Sequence, residues 1–198
     1  MNILGLDLSL TATGIAVVRL GDGDNHRYRT ELIKEPSKHT KWPDRDRIRW
    51  SIDQLTVIVE DALGPDEVWD LAVVEGLAYS RITGHATTRA GLWWLATEHL
   101  DLSDIPLAVM GPTCRAKYAT GRGNAAKADV MREVARRFPD FGGGEDEADA
   151  LVCAAAGADH LGHPIAAMPA THRAALAAVE WPATHPTPGA VVRVTEES

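Results

Sequence analysis

Two apolar segments joined by a short turn open the chain, and this arrangement constrains the fold more than any other feature. Residues 2–8 and 13–20 are rich in Leu, Ile and Val, and the turn between them contains Ser and Thr. A Gly-Asp-Gly-Asp turn follows at 21–24. At about 27–34 the side chains then alternate along the chain with a period of two, which is typical of a half-buried strand. Together these segments predict three consecutive strands in an antiparallel meander.

The periodicity changes from that of strands to that of helices after Pro43. Apolar residues then recur on one helical face, which predicts a helix with Asp44 as its N-cap and Gly64-Pro65 as its stop. Later segments predict strands at about 68–74 and 105–110, and helices at about 84–100, 113–118, 125–138, 146–160 and 170–180. This order predicts the α/β class: a mixed five-stranded sheet whose first three strands are antiparallel, with helices on both faces.

Length and composition restrict the class of protein. The 198 residues suit one domain at 1–163, followed by a partly flexible extension at 164–198 that is rich in Ala, Pro and Thr. A net charge of -8 argues against a protein that coats nucleic acid through bulk charge. Cys114 and Cys153 are too few for a disulfide framework. We find no signal peptide or membrane-spanning run, so we expect a cytoplasmic protein.

Acidic residues stand at the ends of two apolar segments. Asp7 interrupts the first segment, and Glu75 directly follows the apolar run that ends at Val74. A buried and unpaired carboxylate is strongly unfavourable, so each residue needs a reason for its place. Asp7 alone could cap the following turn. The recurrence at Glu75 favours a shared site, because strand ends at one edge of an α/β sheet commonly form one.

Two further acidic residues, Asp146 and Asp149, lie one helical turn apart. Their spacing places both on one helix face. Acidic residues also suit a helix N-terminus because they complement its dipole, which is the alternative explanation. Ala148 and Leu151 indicate that this helix packs against the core. We therefore expect Asp149 to point inward and Asp146 to lie at the rim.

A metal site explains why four carboxylates would be brought together. Hard oxygen ligands select Mg²⁺, with Mn²⁺ as a substitute. Two such ions can activate water and stabilise the leaving oxygen when a phosphodiester bond is hydrolysed. A zinc site built from Cys153, His160 and His163 is disfavoured, because these residues lack paired ligand spacing.

At these positions the sequence resembles the RuvC family of Holliday junction resolvases, within the RNase H-like (retroviral integrase) superfamily. Residues 3–10 and 13–18 resemble the first hairpin with its metal-binding Asp, and residues 73–75 resemble the second acidic motif. Residues 146–151 (DEADAL) resemble the C-terminal acidic helix. The segment 120–127 (TGRGNAAK) resembles a glycine and lysine motif of the family and discriminates best.

The glycine and lysine segment points to phosphate binding. The resemblance gives Lys127 the role of a lysine that binds junction phosphates, and Lys117 is the nearest candidate for a second such lysine, one residue closer to the Thr than usual. Gly121 and Gly123 would let backbone amides approach a phosphate, with Arg122 between them. The alternative is a flexible loop before a solvated basic helix. We interpret a second basic run at 27–49 as a solvated surface, with contact to the duplex arms of the DNA as the alternative.

The resemblance also implies an activity. It implies a homodimeric, magnesium-dependent nuclease of DNA recombination and repair that nicks two strands of a branched DNA and leaves 5′-phosphate and 3′-hydroxyl ends. Asp7 would bridge two metal ions, Glu75 and Asp149 would complete their coordination, and Asp146 would assist. Position 78 is Ala where the family commonly has a stacking aromatic residue, and Tyr79 is the nearest substitute. These departures give the impression of a divergent, phage-type member.

Other functions fit parts of the sequence. A flap or replication-fork endonuclease is the nearest alternative. Residues 5–14 (GLDLSLTATG) also resemble the first phosphate motif of actin-like and sugar-kinase ATP-binding proteins, but the later motifs of that class are missing. A binding module without catalysis is disfavoured because all four carboxylates are present. Trp93 and Trp94 in the predicted helix at about 84–100 are candidates for either an interface or the core.

Overall fold

A single sheet of five strands forms the centre of the protein. The computed structural model describes residues 1–21, 25–77 and 86–182. The strands are β1 (Asn2–Asp7), β2 (Ala12–Leu20), β3 (His26–Lys34), β4 (Leu71–Glu75) and β5 (Leu107–Met110). Tyr79, expected to stack on a DNA base, lies outside the described residues.

The strands are ordered β3-β2-β1-β4-β5. β2 pairs antiparallel with both β1 and β3, which confirms the meander predicted for the first three strands. β4 pairs parallel with both β1 and β5. The predicted mixed sheet is therefore confirmed, with β1 at its centre.

Helices cover both faces of the sheet, as the sequence predicts. They are α1 (Asp44–Asp61), α2 (Ala86–Leu102), α3 (Pro112–Thr120), α4 (Lys127–Arg137), α5 (Glu145–His160) and the short α6 (Ala170–Arg173). The 3₁₀ turns Ser37–Lys41 and Leu176–Ala178 complete the described helical segments. No helix in the described ranges is long and apolar enough to cross a membrane.

Two predictions about helix boundaries are wrong. Asp44 is the first residue of α1, and Pro43 takes the N-cap position because its fixed backbone dihedral suits the entry of a helix. The single helix predicted at about 170–180 is divided into α6 and a 3₁₀ turn. The division follows from packing: Ala175 and Val179 are anchored in the core, and Glu180 then pairs with Val109 of β5 in an extended bridge.

The central strand β1 sends alternate side chains to two different cores. Ile3 packs in the cluster that contains α3, α4 and α5, whereas Leu4 and Leu6 pack in the cluster that contains α1 and α2. This period of two follows from the pleat of a strand. Asp7 therefore continues the face of Ile3, which is covered by α5.

Glycines let α5 lie unusually close to the strands. A side-chain carbon at Gly5 would overlap the carbonyl oxygen of Ala150, and one at Gly14 would overlap that of Asp146. Both obstacles are backbone atoms of α5, which cannot rotate away. The two glycines thus fix the distance between the central strands and the N-terminal half of α5.

Candidate active site

Asp7 and Glu75 lie side by side at the ends of two parallel strands. Leu6 of β1 is the partner of Val74 in β4, so the next residue of each strand reaches the same edge of the sheet. Glu75 also shares its face with Val73, which packs in the cluster around α5. Strand register and pleat therefore point both carboxylates toward α5.

The first turns of α5 supply the other two predicted carboxylates. Asp149 is 3% exposed, and Asp146, one turn earlier, is partly exposed. Their acidic neighbours have different tasks. Glu147 Oε2 accepts a hydrogen bond of 2.7 Å from the Gly144 backbone N–H, and Glu145 lies 3.4 Å from Lys127 Nζ. Only part of this acidic segment therefore serves the helix terminus, which was the alternative explanation for all of it.

Three of the four carboxylates converge. Asp7, Glu75 and Asp149 each offer one oxygen atom, and these atoms lie within 4.8 Å of one another. Asp146 lines the same cleft, which has a volume of about 430 Å³. Residues 7, 75 and 149 are far apart in sequence, so the cluster exists only in the folded chain.

A buried arginine contacts two of the converging carboxylates. Arg115, in the second turn of α3, is 7% exposed. Its Nε lies 2.5 Å from Glu75 Oε2, its Nη2 lies 3.4 Å from Glu75 Oε1, and its Nη1 forms a short ion pair with Asp149 Oδ1. Arg115 was not among the site residues predicted from the sequence.

The helical spacing of the buried residues around Arg115 could have identified it as a site residue. Several other basic residues stand between 113 and 137, and the sequence alone does not separate Arg115 from them, although a helix turns successive side chains to different faces. Arg115, Tyr118 and Ala119 are all buried and follow an i, i+3, i+4 pattern. A charged residue on the apolar face of a short helix is the pattern that identifies it.

Burial raises the pKa of each carboxyl group in the cluster. Burial and the negative charges of Glu75 and Asp149 raise the pKa of Asp7 to about 8, against the opposing effect of Arg115. Burial raises the pKa of Asp149 to about 6, and it also raises the pKa of Glu75, with Arg115 again opposing both shifts. Without further cations the cluster therefore retains a proton near neutral pH.

The cluster fits a divalent cation. The guanidinium of Arg115 contacts two of the three carboxylates, and among the described residues none is seen to donate a hydrogen bond to the carboxylate of Asp7. Oxygen ligands of this kind are those that Mg²⁺ prefers, at about 2.1 Å from the ion. Small movements of the three side chains would bring their oxygen atoms to such distances, since they already lie within 4.8 Å of one another.

The residues predicted to bind phosphate are distributed over different surroundings. Lys127 lines the cleft, where burial opposes its charge but Asp149 and Glu145 raise its pKa above the usual value. Lys117 is not among the residues that line the cleft; it lies near Cys114. Of the two basic residues of α3, Arg115 is the one that reaches the carboxylates.

The loop between α3 and α4 carries the remaining predicted phosphate-binding residues. Gly121 ends α3 with a φ of 81°, a left-handed conformation that favours glycine at a helix end. Gly123 lies close to the carbonyl oxygen of Thr113, where a side-chain carbon would be only 3.1 Å away. Arg122 is exposed and pairs with Asp129 at 3.1 Å. The need for glycine in this loop is therefore explained by backbone geometry.

The two adjacent tryptophans of α2 have different environments. Trp93 is 9% exposed, and its indole N–H donates a hydrogen bond of 2.9 Å to the backbone oxygen of Glu75. Trp94 is 65% exposed. Trp93 therefore belongs to the core and holds the end of β4 in place, whereas Trp94 remains available for contact with another molecule.

Comparison with solved structures identifies the fold. The structure of RuvC from Thermus thermophilus superposes with a TM-score of 0.62 at 20% sequence identity, covering 85% of this chain and 100% of that chain. The chain has the RuvC fold. T. thermophilus RuvC in complex with a Holliday junction substrate matches as well, with a TM-score of 0.62, 21% identity and coverage of 85% and 99%. No protein-family model and no curated protein matches the sequence.

The RuvC fold confirms the RNase H-like architecture that the sequence motifs imply. The suggestion of a phage-type member and the domain boundary at residue 163 stay predictions. Residues 164–182 contribute Ile165, Ala175 and Val179 to the core around α5. This part of the expected extension is thus packed against the sheet domain.

Proposed function

We propose that this protein is a magnesium-dependent endonuclease that cuts Holliday junctions or other branched DNA. The observation that carries the proposal is the convergence of Asp7, Glu75 and Asp149 on one side of a RuvC-type sheet. Support also comes from T. thermophilus RuvC, whose structure was determined with a Holliday junction substrate. The cleft beside the carboxylates is open and lined by basic as well as acidic side chains.

The carboxylates would hold the metal ions. Asp7, Glu75 and Asp149, whose oxygen atoms converge, would hold the ions, and the more exposed Asp146 would complete the set. Bound Mg²⁺ ions supply activation of water and stabilisation of the charge that develops on the leaving oxygen. The side chains of the protein would hold these ions beside the open cleft.

Basic residues at the cleft would hold the DNA backbone. Lys127 lines the cleft and is the first candidate for contact with a phosphate next to the scissile bond. Arg122 and Lys117 are not among the residues that line the cleft, and they would contact neighbouring phosphates together with the backbone amides at Gly121 and Gly123. A stacking role for Tyr79 remains part of the proposal. Phosphate contacts position the DNA but do not select its sequence.

A homodimer would allow two strands of a junction to be cut together. Two-fold symmetric dimers are the commonest oligomers and present two identical sites. The expected products are nicks with 5′-phosphate and 3′-hydroxyl ends in two strands of like polarity.

Cleavage of branched DNA by matched variants tests the proposal. Asp7→Asn is the cleanest variant because the Asp7 carboxylate has no hydrogen-bond donor among the described residues. We expect Asp7→Asn and Asp149→Asn to lose cleavage of four-way junctions in Mg²⁺ by about a thousandfold or more while still binding them, because electrostatic stabilisation of the transition state is lost. Asp61→Asn, at the exposed end of α1, is the control and should cut normally.

The DNA structures compared in the same assay decide between the alternatives. Preference for replication forks or flaps over four-way junctions would assign the protein to the fork or flap nucleases. Mg²⁺-dependent nicking by pure Asp7→Asn protein at the wild-type rate would refute the assignment of the site. Thermal stabilisation by ATP without any nicking would instead favour an ATP-binding protein.

A further inference from the structure

The position of Arg115 coincides with the place where a metal ion would bind. Its Nε and Nη1 face Glu75 Oε2 and Asp149 Oδ1, which are oxygen atoms of two proposed metal ligands. A guanidinium and a metal ion cannot both occupy the space between these oxygen atoms. The cation supplied by α3 and a bound divalent ion are therefore competitors.

A second buried arginine shows what a purely structural ion pair looks like in this chain. Arg47 donates two hydrogen bonds of 2.7 Å to the two oxygen atoms of Glu35. Both side chains are buried, and this fork geometry satisfies the carboxylate fully. The pair joins the end of β3 to α1, and Arg47 Nη1 also lies 3.6 Å from the exposed Asp44. Among the described residues, Glu35 and Asp44 do not belong to a group of carboxylates that could hold a metal ion.

The contacts of Arg115 are less complete. Although Arg115 Nε lies 2.5 Å from Glu75 Oε2, neither atom forms a hydrogen bond of acceptable geometry. The guanidinium divides its donors between Glu75 and Asp149, and Asp7 receives none. Arg115 thus contacts two of the three carboxylates and satisfies them only in part, while Lys127 adds a second positive charge at the cleft without a direct contact to either.

A divalent ion would serve the same carboxylates better. It carries twice the charge, and the carboxylate oxygens would surround it instead of meeting planar N–H donors. Arg115 itself lines the cleft, so its long side chain can turn into the open volume without displacing the backbone of α3.

We propose that Arg115 is an internal counter-cation, which holds Glu75 and Asp149 together in the metal-free protein and leaves them when a divalent ion binds. The inference rests on the proposed function, because it assumes that this cluster is the metal site. Its consequence is that Arg115 lowers the apparent metal affinity and protects the empty site from the repulsion of its own carboxylates.

Mg²⁺ titration calorimetry without DNA tests the first consequence. The variants are Arg115→Met and the control Arg173→Met, which removes another arginine paired with an aspartate of α5, at Asp159. At about pH 8.5, where competition by protons is small for a group with a pKa of about 8 or below, we expect Arg115→Met to bind Mg²⁺ about tenfold tighter than wild type. Arg173→Met should bind as wild type does.

Nuclear magnetic resonance of the arginine Nε–H groups tests the second consequence in the unmodified protein. The Arg115 signal is assigned by its loss in Arg115→Lys. Without metal it should exchange slowly with water, because the group is buried. It should shift and exchange rapidly over the range of Mg²⁺ concentration at which calorimetry shows saturation.

The outcomes separate the two proposals. Tighter binding by Arg115→Met together with release of the Arg115 signal supports the inference. Equal or weaker binding by Arg115→Met, or an unchanged Arg115 signal in the saturated wild-type protein, overturns it and leaves the metal site standing. If neither wild type nor Arg115→Met binds Mg²⁺ or Mn²⁺, the proposed function fails and the inference fails with it.

Discussion

The surroundings of Asp7 strongly oppose its own charge. It is half-buried at the end of β1, beside Glu75 and Asp149, and desolvation together with these negative charges raises its pKa to about 8. An unfolded aspartate has a pKa of about 3.9. The unfolded chain therefore loses the Asp7 proton at a much lower pH than the folded chain does. Ionisation of Asp7 consequently destabilises the metal-free fold.

The direction in which Asp7 ionisation changes the free energy of unfolding can be tested with Asp7→Asn. Because the folded pKa is raised, the stabilising contribution is fully present below about pH 4 and is lost progressively as the pH rises through about 8. Asparagine is neutral at every pH. We therefore expect Asp7→Asn to unfold at a higher denaturant concentration than wild type in the presence of a chelator, with a difference that grows to a few kcal/mol (order of magnitude) between about pH 5 and about pH 9.

Denaturant unfolding at several pH values measures this difference directly. The same comparison for Asp61→Asn, at the exposed end of α1, serves as the control. If Asp7→Asn and wild type respond identically to pH, Asp7 titrates as an ordinary exposed aspartate and the site is not buried in solution.

Among the elements, α5 has the greatest influence on the site. It contacts β1, β2 and β4, and it carries both Asp146 and Asp149. Its approach is set by Gly5 and Gly14, where a side chain would meet backbone atoms of the helix. Strand glycines therefore determine where the helical carboxylates lie relative to the strand carboxylates.

Substitution at one of these glycines separates helix placement from ligand chemistry. Gly14→Ala would push the helix away at the carbonyl of Asp146. We expect a loss of about 1–3 kcal/mol in unfolding free energy, as for other overpacked sites, and weaker Mg²⁺ binding although every ligand is retained. Gly142→Ala, which meets nothing within 4 Å, should change neither quantity by much. Wild-type Mg²⁺ affinity in Gly14→Ala would show that α5 placement does not control the site.

The elements also show what the sequence can and cannot predict. The order of strands and helices follows from periodicity, because apolar runs and helical faces report local burial. The segment at 170–180 misleads, because its alanine content favours a helix while the extended bridge of Glu180 with Val109 requires the chain to leave helical geometry before residue 180. Tertiary packing overrides propensity there.

In the site as well, residues with a local sequence pattern are predicted, whereas a residue that depends on contacts distant in sequence is not. Asp7 and Glu75 are recognisable because a charge at the end of an apolar run is unusual. Arg115 has two other basic residues within seven positions along the chain, at Lys117 and Arg122, and its partners lie in β4 and α5. Only the packing of α3 reveals that this residue reaches the carboxylates and that Lys117 does not.

At the scale of the molecule, a buried polar network joins the last described segment to α5. Asp159 is 2% exposed, lies 2.5 Å from an Nη atom of Arg173, and accepts a hydrogen bond of 3.2 Å from the Tyr118 hydroxyl. Arg173 lies in α6, beyond the predicted domain boundary. The network therefore connects α3, α5 and α6 into one packed unit.

We predict that two copies of the chain associate into a homodimer. We expect sedimentation equilibrium to give twice the 21.3 kDa mass of one chain. Trp94 and Leu102 of α2 are 65% and 77% exposed, a large apolar area for a helix facing solvent. Trp94→Glu should therefore shift the protein toward monomers. Val68→Glu changes an equally exposed side chain before β4 and should not. A monomeric wild type at micromolar concentration would contradict the prediction.

The wide separation of residues 7, 75 and 149 along the chain has a consequence for biosynthesis. A nascent chain that has emerged only as far as β5 contains two of the converging carboxylates but has no helix α5 to complete the cluster. The site comes into existence only when nearly the whole sheet domain has left the ribosome and α5 has docked on the glycines of β1 and β2. A partly made chain therefore contains no assembled cluster of the three carboxylates, and any chemistry of the site begins only with the finished fold.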